Sequence, residues 1–400
     1  MALAHLIKAN LKTPSRLLPV LAFPDKRGVS NRRMTFSSSS TATRTRPTVS
    51  YEELEARFPR QTVDLCNGET LSYVDCDLTR TANDGEKEDD TSKGPKHTLL
   101  VIPGYACDSK YMAFTLAQYY DEIAKDHRIV AVDPRGYGES TLQQENWSHE
   151  ENAHDMKLVC DQLGLPENIM VMGYSTGGAT AAWLTLLYPQ LVQCCFLVSS
   201  IPLNGMRTSL LTEMGKATGA LLQTKDHAME YTDKFLTPSI HSPKINKFRL
   251  TVGYNCLDKK SLPRNDDRGL QLYHEAARMH RSRASALYAN NAFNVTPIQT
   301  PVSPPNTSAL SQLTCPMVVM HGANDALIKT QQVRAVTELA MVERWAPKHL
   351  LQYYEIPDCG HMWMYDNPHG FATTYRRALN DNNMGSLSSP PKTTNLRSSL

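Results

Sequence analysis

Three residues of this chain have the types and order of a nucleophilic site: Ser175, Asp325 and His361. A serine hydroxyl at its free pKa is a poor nucleophile. It needs an imidazole to take its proton, and the imidazole needs a carboxylate to fix its tautomer and stabilise its charged form. Each of the three follows a short apolar run with the character of a buried strand: 168–172, 317–321 and 350–356. Loops at the carboxyl ends of strands in an open parallel sheet converge on one crevice, so residues this far apart in sequence are expected to meet. Ser175 stands between Gly173 and Gly177, where strand chemistry gives way to helix chemistry. A bend that tight needs residues without Cβ on either side, and it would turn the Ser175 side chain outward.

The elements that must position these residues follow from hydrophobic period and punctuation. Segments 61–65 and 71–77 flank Asn67-Gly68, a strong hairpin signal, and 79–96 is polar and charged, as expected of an exposed loop. Strands are then expected at 97–102, 128–132, 168–172 and 192–199, with helices at 111–124, 152–163 and 177–187. Short apolar strands alternating with helices predict a mostly parallel sheet covered on both faces. The alternation stops across 201–312, where helical patches at 207–216 and 270–289 are separated by polar and proline-rich stretches. It resumes with strands at 317–321 and 350–356 and helices at 330–342 and 370–379. The expected organisation is a core in two parts, 51–200 and 313–380, interrupted by a helical cap over 201–312, with a disordered tail at 381–400.

Composition removes several classes. At 400 residues and 41% hydrophobic content the chain can bury a sizeable core, and a formal net charge of +2 gives no reason to expect a nucleic-acid partner. No uninterrupted apolar run reaches the roughly 18 residues of a membrane span. Nine scattered cysteines without a C-x-x-C pair argue for reduced thiols rather than a disulfide framework or a zinc cluster. No His and acid cluster has metal-ligand spacing, and Gly136-Tyr137-Gly138 and Gly177-Gly178 fit no dinucleotide or phosphate loop, so no cofactor is expected. Residues 1–50 are basic and serine-rich, with Asp25 the one acid, and Leu3, Leu6, Ile7 and Leu11 fall at helical spacing. This is the composition of an organelle transit peptide, and a mitochondrial address is expected. A solvated tail on a cytoplasmic protein and a secretory signal are the alternatives.

With these pieces in order, the chain resembles the α/β-hydrolases. Gly173-Tyr174-Ser175-Thr176-Gly177 is similar to the family's nucleophile elbow, in the strand–turn–helix context that the elbow requires. The segment His321-Gly322-Ala323-Asn324-Asp325 resembles the loop that carries the acid, and Asp358-Cys359-Gly360-His361 the loop that carries the histidine. Pro103-Gly104-Tyr105 stands where the family has its His-Gly-x oxyanion loop. The resemblance covers about 62–379 and implies an α/β-hydrolase fold with a lid at 201–311. It also implies an oxyanion hole from the backbone N–H groups of Tyr105 and Thr176. Pro103 in place of the histidine puts the bracing of that loop in question, not its donors.

Each residue also has a plainer reading. Ser175 is an ordinary turn serine if the elbow is absent, and Asp325 could simply cap the next helix. Asp133, also at a strand end, is its rival for the acid, although Asp133-Pro134-Arg135-Gly136 resembles the family's structural turn. His321, expected to brace the acid loop, and His369, at a helix start, compete with His361. Cys107 and Cys359 read as packing thiols, since neither has an evident activating base. The activity expected is hydrolysis of a small-molecule carboxylic ester or thioester through an acyl-enzyme on Ser175. Acyl transfer, perhydrolysis and C–C hydrolysis with the same triad, or a non-catalytic binding protein of the same fold, are the alternatives.

Overall fold

The computed structural model describes residues 49–384 apart from 80–96, 120–122, 144–147, 343–345, 348 and most of 202–306; within that last segment it describes 203, 238, 241–242, 244, 268–279 and 301–302. The basic segment 1–48, the polar loop 80–96, the patch 207–216 and the tail from 385 lie outside the described residues.

Eight strands form one sheet: β1 (Gln61–Asp64), β2 (Thr70–Cys76), β3 (His97–Ile102), β4 (His127–Val132), β5 (Ile169–Tyr174), β6 (Val192–Val198), β9 (Met317–Gly322) and β10 (Leu351–Ile356). Their order is β1-β2-β4-β3-β5-β6-β9-β10, and only the two pairings made by β2 are antiparallel. The pair β7 (Pro301–Val302) and β8 (Thr307–Ser308) forms a small separate ladder. The expected hairpin at Asn67-Gly68 is present, registered Gln61↔Tyr73 through Asp64↔Thr70. Gly68 takes φ +88°, which a side chain would resist.

The sheet buries both faces, which is why its central strands read as continuous apolar runs. Along β5, Met170, Met172 and Tyr174 join one core cluster, and Ile169 and Val171 the other. The first cluster is covered by α1 (Tyr51–Arg57), α2 (Ser109–Ala117), α5 (Arg268–Met279) and α8 (Pro368–Asp381). The second is covered by α3 (His149–Gln162), α4 (Gly177–Leu187) and α6 (Thr330–Val342). Each fully buried Leu, Ile, Val or Met contributes about 1.5–3 kcal/mol, so the two layers account for the stability of the core.

Several element bounds differ from the sequence expectation, and at three helices a cap gives the reason. Helix α1 was not expected, yet Ser50 accepts a hydrogen bond from the Glu53 amide at 3.1 Å. Helix α3 starts at His149 rather than at 152 because Ser148 caps it, accepting from the Glu151 amide at 3.0 Å. Both are Ser-x-x-Glu capping signatures. Helix α2 runs 109–117 rather than 111–124, since Asp108 caps the Tyr111 amide at 2.8 Å and a separate 3₁₀ turn occupies Ala124–Asp126.

Of the expected cap, helix α5 is described as far as Met279, and the rest of the 270–289 patch lies outside the described residues. Leu270, Leu272, Tyr273 and Ala276 pack into the first cluster with Leu54 and Tyr111, and Arg268 holds Glu55 of α1 through both guanidinium edges at 2.7 and 2.5 Å. Ala277 packs against Ala106, with Tyr105 alongside, so this helix lies on the loop after β3. Among the described residues no helix is long and apolar enough to cross a membrane.

Candidate active site

Strand β5 runs to Tyr174, and Ser175 occupies the bend into α4 with φ +52°. A non-glycine residue in that region carries strain of about 1–3 kcal/mol, tolerated where the surroundings fix it. Here the Ser175 amide donates to Val198 O of β6 at 2.9 Å. A Cβ on Gly173 would lie 2.4 Å from Gly177 O, and one on Gly177 would lie 2.3 Å from Ile102 O. The two glycines are therefore what lets strand, helix and neighbouring strand close on one point.

Asp325 lies in the turn between β9 and α6, and His361 between β10 and the short helix α7 (Trp363–Asp366). The two loops are laced together: the Ala323 amide donates to Ile356 O at 2.9 Å and the Asn324 amide to Cys359 O at 2.8 Å. The structure thereby brings the three sequence-selected residues into one line. His361 Nδ1 is 2.8 Å from Asp325 Oδ2, and His361 Nε2 is 3.2 Å from Ser175 Oγ. An ionised carboxylate only accepts, so Nδ1 carries the proton, and Nε2 is left to accept from the Ser175 hydroxyl. All three side chains are buried.

Asp325 is held from every side. Its Oδ1 accepts from the amides of Leu327 and Ile328, each at 2.9 Å, and Oδ2 faces His321 Nε2 at 3.2 Å as well as His361. Burial alone would raise its pKa, but the two imidazoles outweigh burial and hold the carboxyl well below its ordinary range. His321 Nε2 is also 2.8 Å from Ile328 O, an acceptor, so that nitrogen carries hydrogen and is shared between the carbonyl and Asp325. The expected brace of the acid loop thus touches the acid itself.

Asp133, the rival acid, follows β4 and is engaged elsewhere. Ser72 Oγ donates to it at 2.6 Å, Ser109 Oγ at 2.7 Å and the Ser109 amide at 2.5 Å. Burial and the neighbouring Asp108 carboxylate push its pKa up to about 6. His369 lies in the first turn of α8, as expected.

The loop after β3 lies against the nucleophile. A Cβ on Gly104 would sit 2.8 Å from Ser175 Cβ, so only glycine permits this approach. Tyr105 follows directly, and Thr176 is the N-cap residue of α4. Backbone N–H groups at a helix start have no intrahelical acceptor and carry partial positive charge. The two amides expected to serve an oxyanion therefore flank Ser175 along the chain and across the loop contact.

Tyr174 escaped the sequence reading. Its hydroxyl is 3.2 Å from His361 O and 2.9 Å from Met362 Sδ, and its ring lies 5.5 Å from the His361 ring. The signal was its place inside the elbow, next to Ser175. The described cysteines are free thiols, buried except for Cys66.

The chain belongs to the alpha/beta hydrolase fold family, whose model matches residues 97–368. By sequence it is similar to epoxide hydrolase 4 of Mus musculus, 31% identical over 94 residues, or 23% of this chain and 24% of that one. It is 17% identical over 250 residues to the 2-hydroxy-6-oxo-6-(2'-aminophenyl)hexa-2,4-dienoic acid hydrolase of Metapseudomonas resinovorans, covering 62% and 73% of the two chains. Among solved structures, a thermophilic esterase from Thermogutta terrifontis superposes with a TM-score of 0.56 at 18% identity over 82% of this chain and 100% of that chain. These structural likenesses carry the fold. The matches span 45%, 24% and 31% of the lengths of the first curated relatives, less than half in each case.

Proposed function

We propose that this hydrolase-fold protein cleaves a carboxylic ester or thioester through an acyl-enzyme on Ser175. The observation that carries the reading is the continuous Ser175–His361–Asp325 hydrogen-bonded line, at 3.2 and 2.8 Å. Ser175 Oγ attacks the carbonyl carbon while its proton passes to His361 Nε2, and Asp325 stabilises the imidazolium. The amides of Tyr105 and Thr176 receive the oxyanion. The imidazolium proton leaves with the alcohol or thiol. Water, deprotonated by the same nitrogen, then releases the acid and regenerates Ser175.

Opening an epoxide through a covalent ester needs a carboxylate nucleophile, and a hydroxyl stands at that position here. The same triad also serves transfer to an alcohol, perhydrolysis and C–C cleavage, and product analysis separates these from hydrolysis. Helix α5, resting on the loop with Tyr105, supports a cap over 201–312 as the element that selects the acyl group. The basic start of the chain supports a mitochondrial address, tested by fusing residues 1–50 to a fluorescent reporter.

The direct experiment is labelling with a fluorophosphonate beside turnover of p-nitrophenyl esters of graded chain length. Wild type is expected to label and turn over, and Ser175→Ala to lose both, with a loss on the order of 10⁶ in kcat by analogy with other serine triads. A folded Ser175→Ala protein with near-normal turnover would sink the reading.

A further inference from the structure

In the loop that carries Tyr105, Pro103 precedes Gly104 and has no N–H to donate. Something else must hold it against Ser175. The near end is closed by the Cys107 amide donating to Gly104 O at 3.1 Å, with Ala106 at φ +61°. The far end, Asp108-Ser109, enters a buried ionic cluster. Arg60 donates to Asp108 Oδ2, lies 3.6 Å from Asp133 Oδ2 through Nε, and 3.8 Å from Glu139 through Nη1. Asp108 Oδ1 caps α2, and Ser109 hangs from Asp133 through both its amide and its hydroxyl. A Cβ on Gly138 would lie 2.2 Å from Asp133 Oδ2, so only glycine lets that turn pack this closely on the anchor.

We infer that Arg60, acting through Asp108 beside the Asp133 anchor, is the positioning residue of the oxyanion loop. The inference rests on the serine-hydrolase reading above.

Three observations carry it. First, a cation buried against carboxylates adds little net stability, because desolvation offsets the attraction, so the cluster needs another reason to exist. Arg60 fits that poorly as a stabiliser: its buried Nε has no hydrogen-bond partner among the described residues. Second, the cluster joins four separate stretches of chain: the residue before β1, the start of α2, the end of β4 and the turn at Glu139. Arg60 also reaches Met279 Sδ of α5 at 3.2 Å, so the cap helix above the loop shares the same support. Third, from Gly104, in contact with Ser175, to Asp108 is four residues. A shift at Asp108 has no slack in which to dissipate before it reaches the Tyr105 amide. Charge balance points the same way, because the carboxylates around Arg60 outweigh its burial and keep the guanidinium charged.

The test compares Arg60→Met, Arg60→Lys, Asp108→Asn and the double variant Arg60→Met/Asp108→Asn with wild type, on p-nitrophenyl acetate. Losing one oxyanion donor costs about 10²–10³ in kcat, and a misplacement near 1 Å costs roughly 10²-fold. Arg60→Met is expected to lower kcat by about 10- to 100-fold, with KM within about twofold. Arg60→Lys should recover most of kcat. The double variant should be no worse than Arg60→Met alone, because the two residues act as one unit. Asp108→Asn keeps the α2 cap through Oδ1, so it decides the matter should Arg60→Met fail to fold. An unchanged kcat in Asp108→Asn and in any folded Arg60 variant, beside an inactive Ser175→Ala, overturns the loop assignment alone. A rise in KM with kcat unchanged also overturns it. Turnover surviving in Ser175→Ala overturns the serine reading beneath it.

Discussion

Two buried aspartates follow strands of the same sheet and have opposite lives. Asp325 faces two imidazoles and two backbone amides, and its pKa is driven down despite burial. Asp133 faces two serine hydroxyls, a serine amide and a second carboxylate, and its pKa is pushed up to about 6. Both follow the carboxyl end of a strand, Asp133 directly after β4 and Asp325 three residues past β9. The difference is the charge of the neighbours: partners that can become cations favour the carboxylate, while a like charge in a dry site disfavours it. Of the two, Asp325 is the one hydrogen-bonded to His361, at 2.8 Å.

The comparison breaks first at Asp325. Asp325→Asn, isosteric but unable to hold His361 in the Nδ1–H tautomer, is expected to lower kcat by about 10⁴-fold with the fold intact. Steady-state kinetics beside circular dichroism reads this, and a drop below tenfold would return the acid to some other residue.

A smaller effect is expected one shell out. His321→Leu removes one donor to the Asp325 carboxylate, and a hydrogen bond to a charged group contributes about 1.5–3 kcal/mol. Turnover should fall by roughly tenfold, and His321→Gln, which can still donate, should restore part of it. Equal losses in both variants would mean that His321 packs rather than donates.

Asp133→Asn should have the least effect on turnover, roughly two- to tenfold, as expected for weakening one neutral hydrogen bond. Its larger signature is in stability. With a folded pKa of about 6 above the ordinary value of 3.8, Asp133 contributes stability that is complete below that ordinary value and lost as pH rises through about 6. Asp325 is reversed: its contribution is present above the ordinary carboxylate value and lost as pH falls below it toward the lowered folded pKa. Urea denaturation at about pH 4.5 and about pH 7.5 should therefore show a smaller decline in Asp133→Asn than in wild type. An identical decline would place the raised pKa elsewhere in the cluster.

Much of this site was legible before any coordinates. The elbow glycines, the order Ser175, Asp325, His361 and the alternation of strands with helices are local facts, because backbone bends and buried runs leave marks in neighbouring residues. Two helix starts were equally local and were overlooked: Ser50 with Glu53 and Ser148 with Glu151 spell their own caps. What the sequence determined by itself was the fold class and the residues able to do the chemistry. Tertiary structure alone decided the distances: the order of the motifs already favoured Asp325 over Asp133, and the fold sets Asp325 2.8 Å from His361 while Ser72 and Ser109 hold Asp133. It also decided that Arg60, 48 residues from its partner Asp108 and marked by no motif, meets the end of the loop after β3. A pKa and an ion pair are set by distances across the fold, and no spacing along the chain encodes those distances.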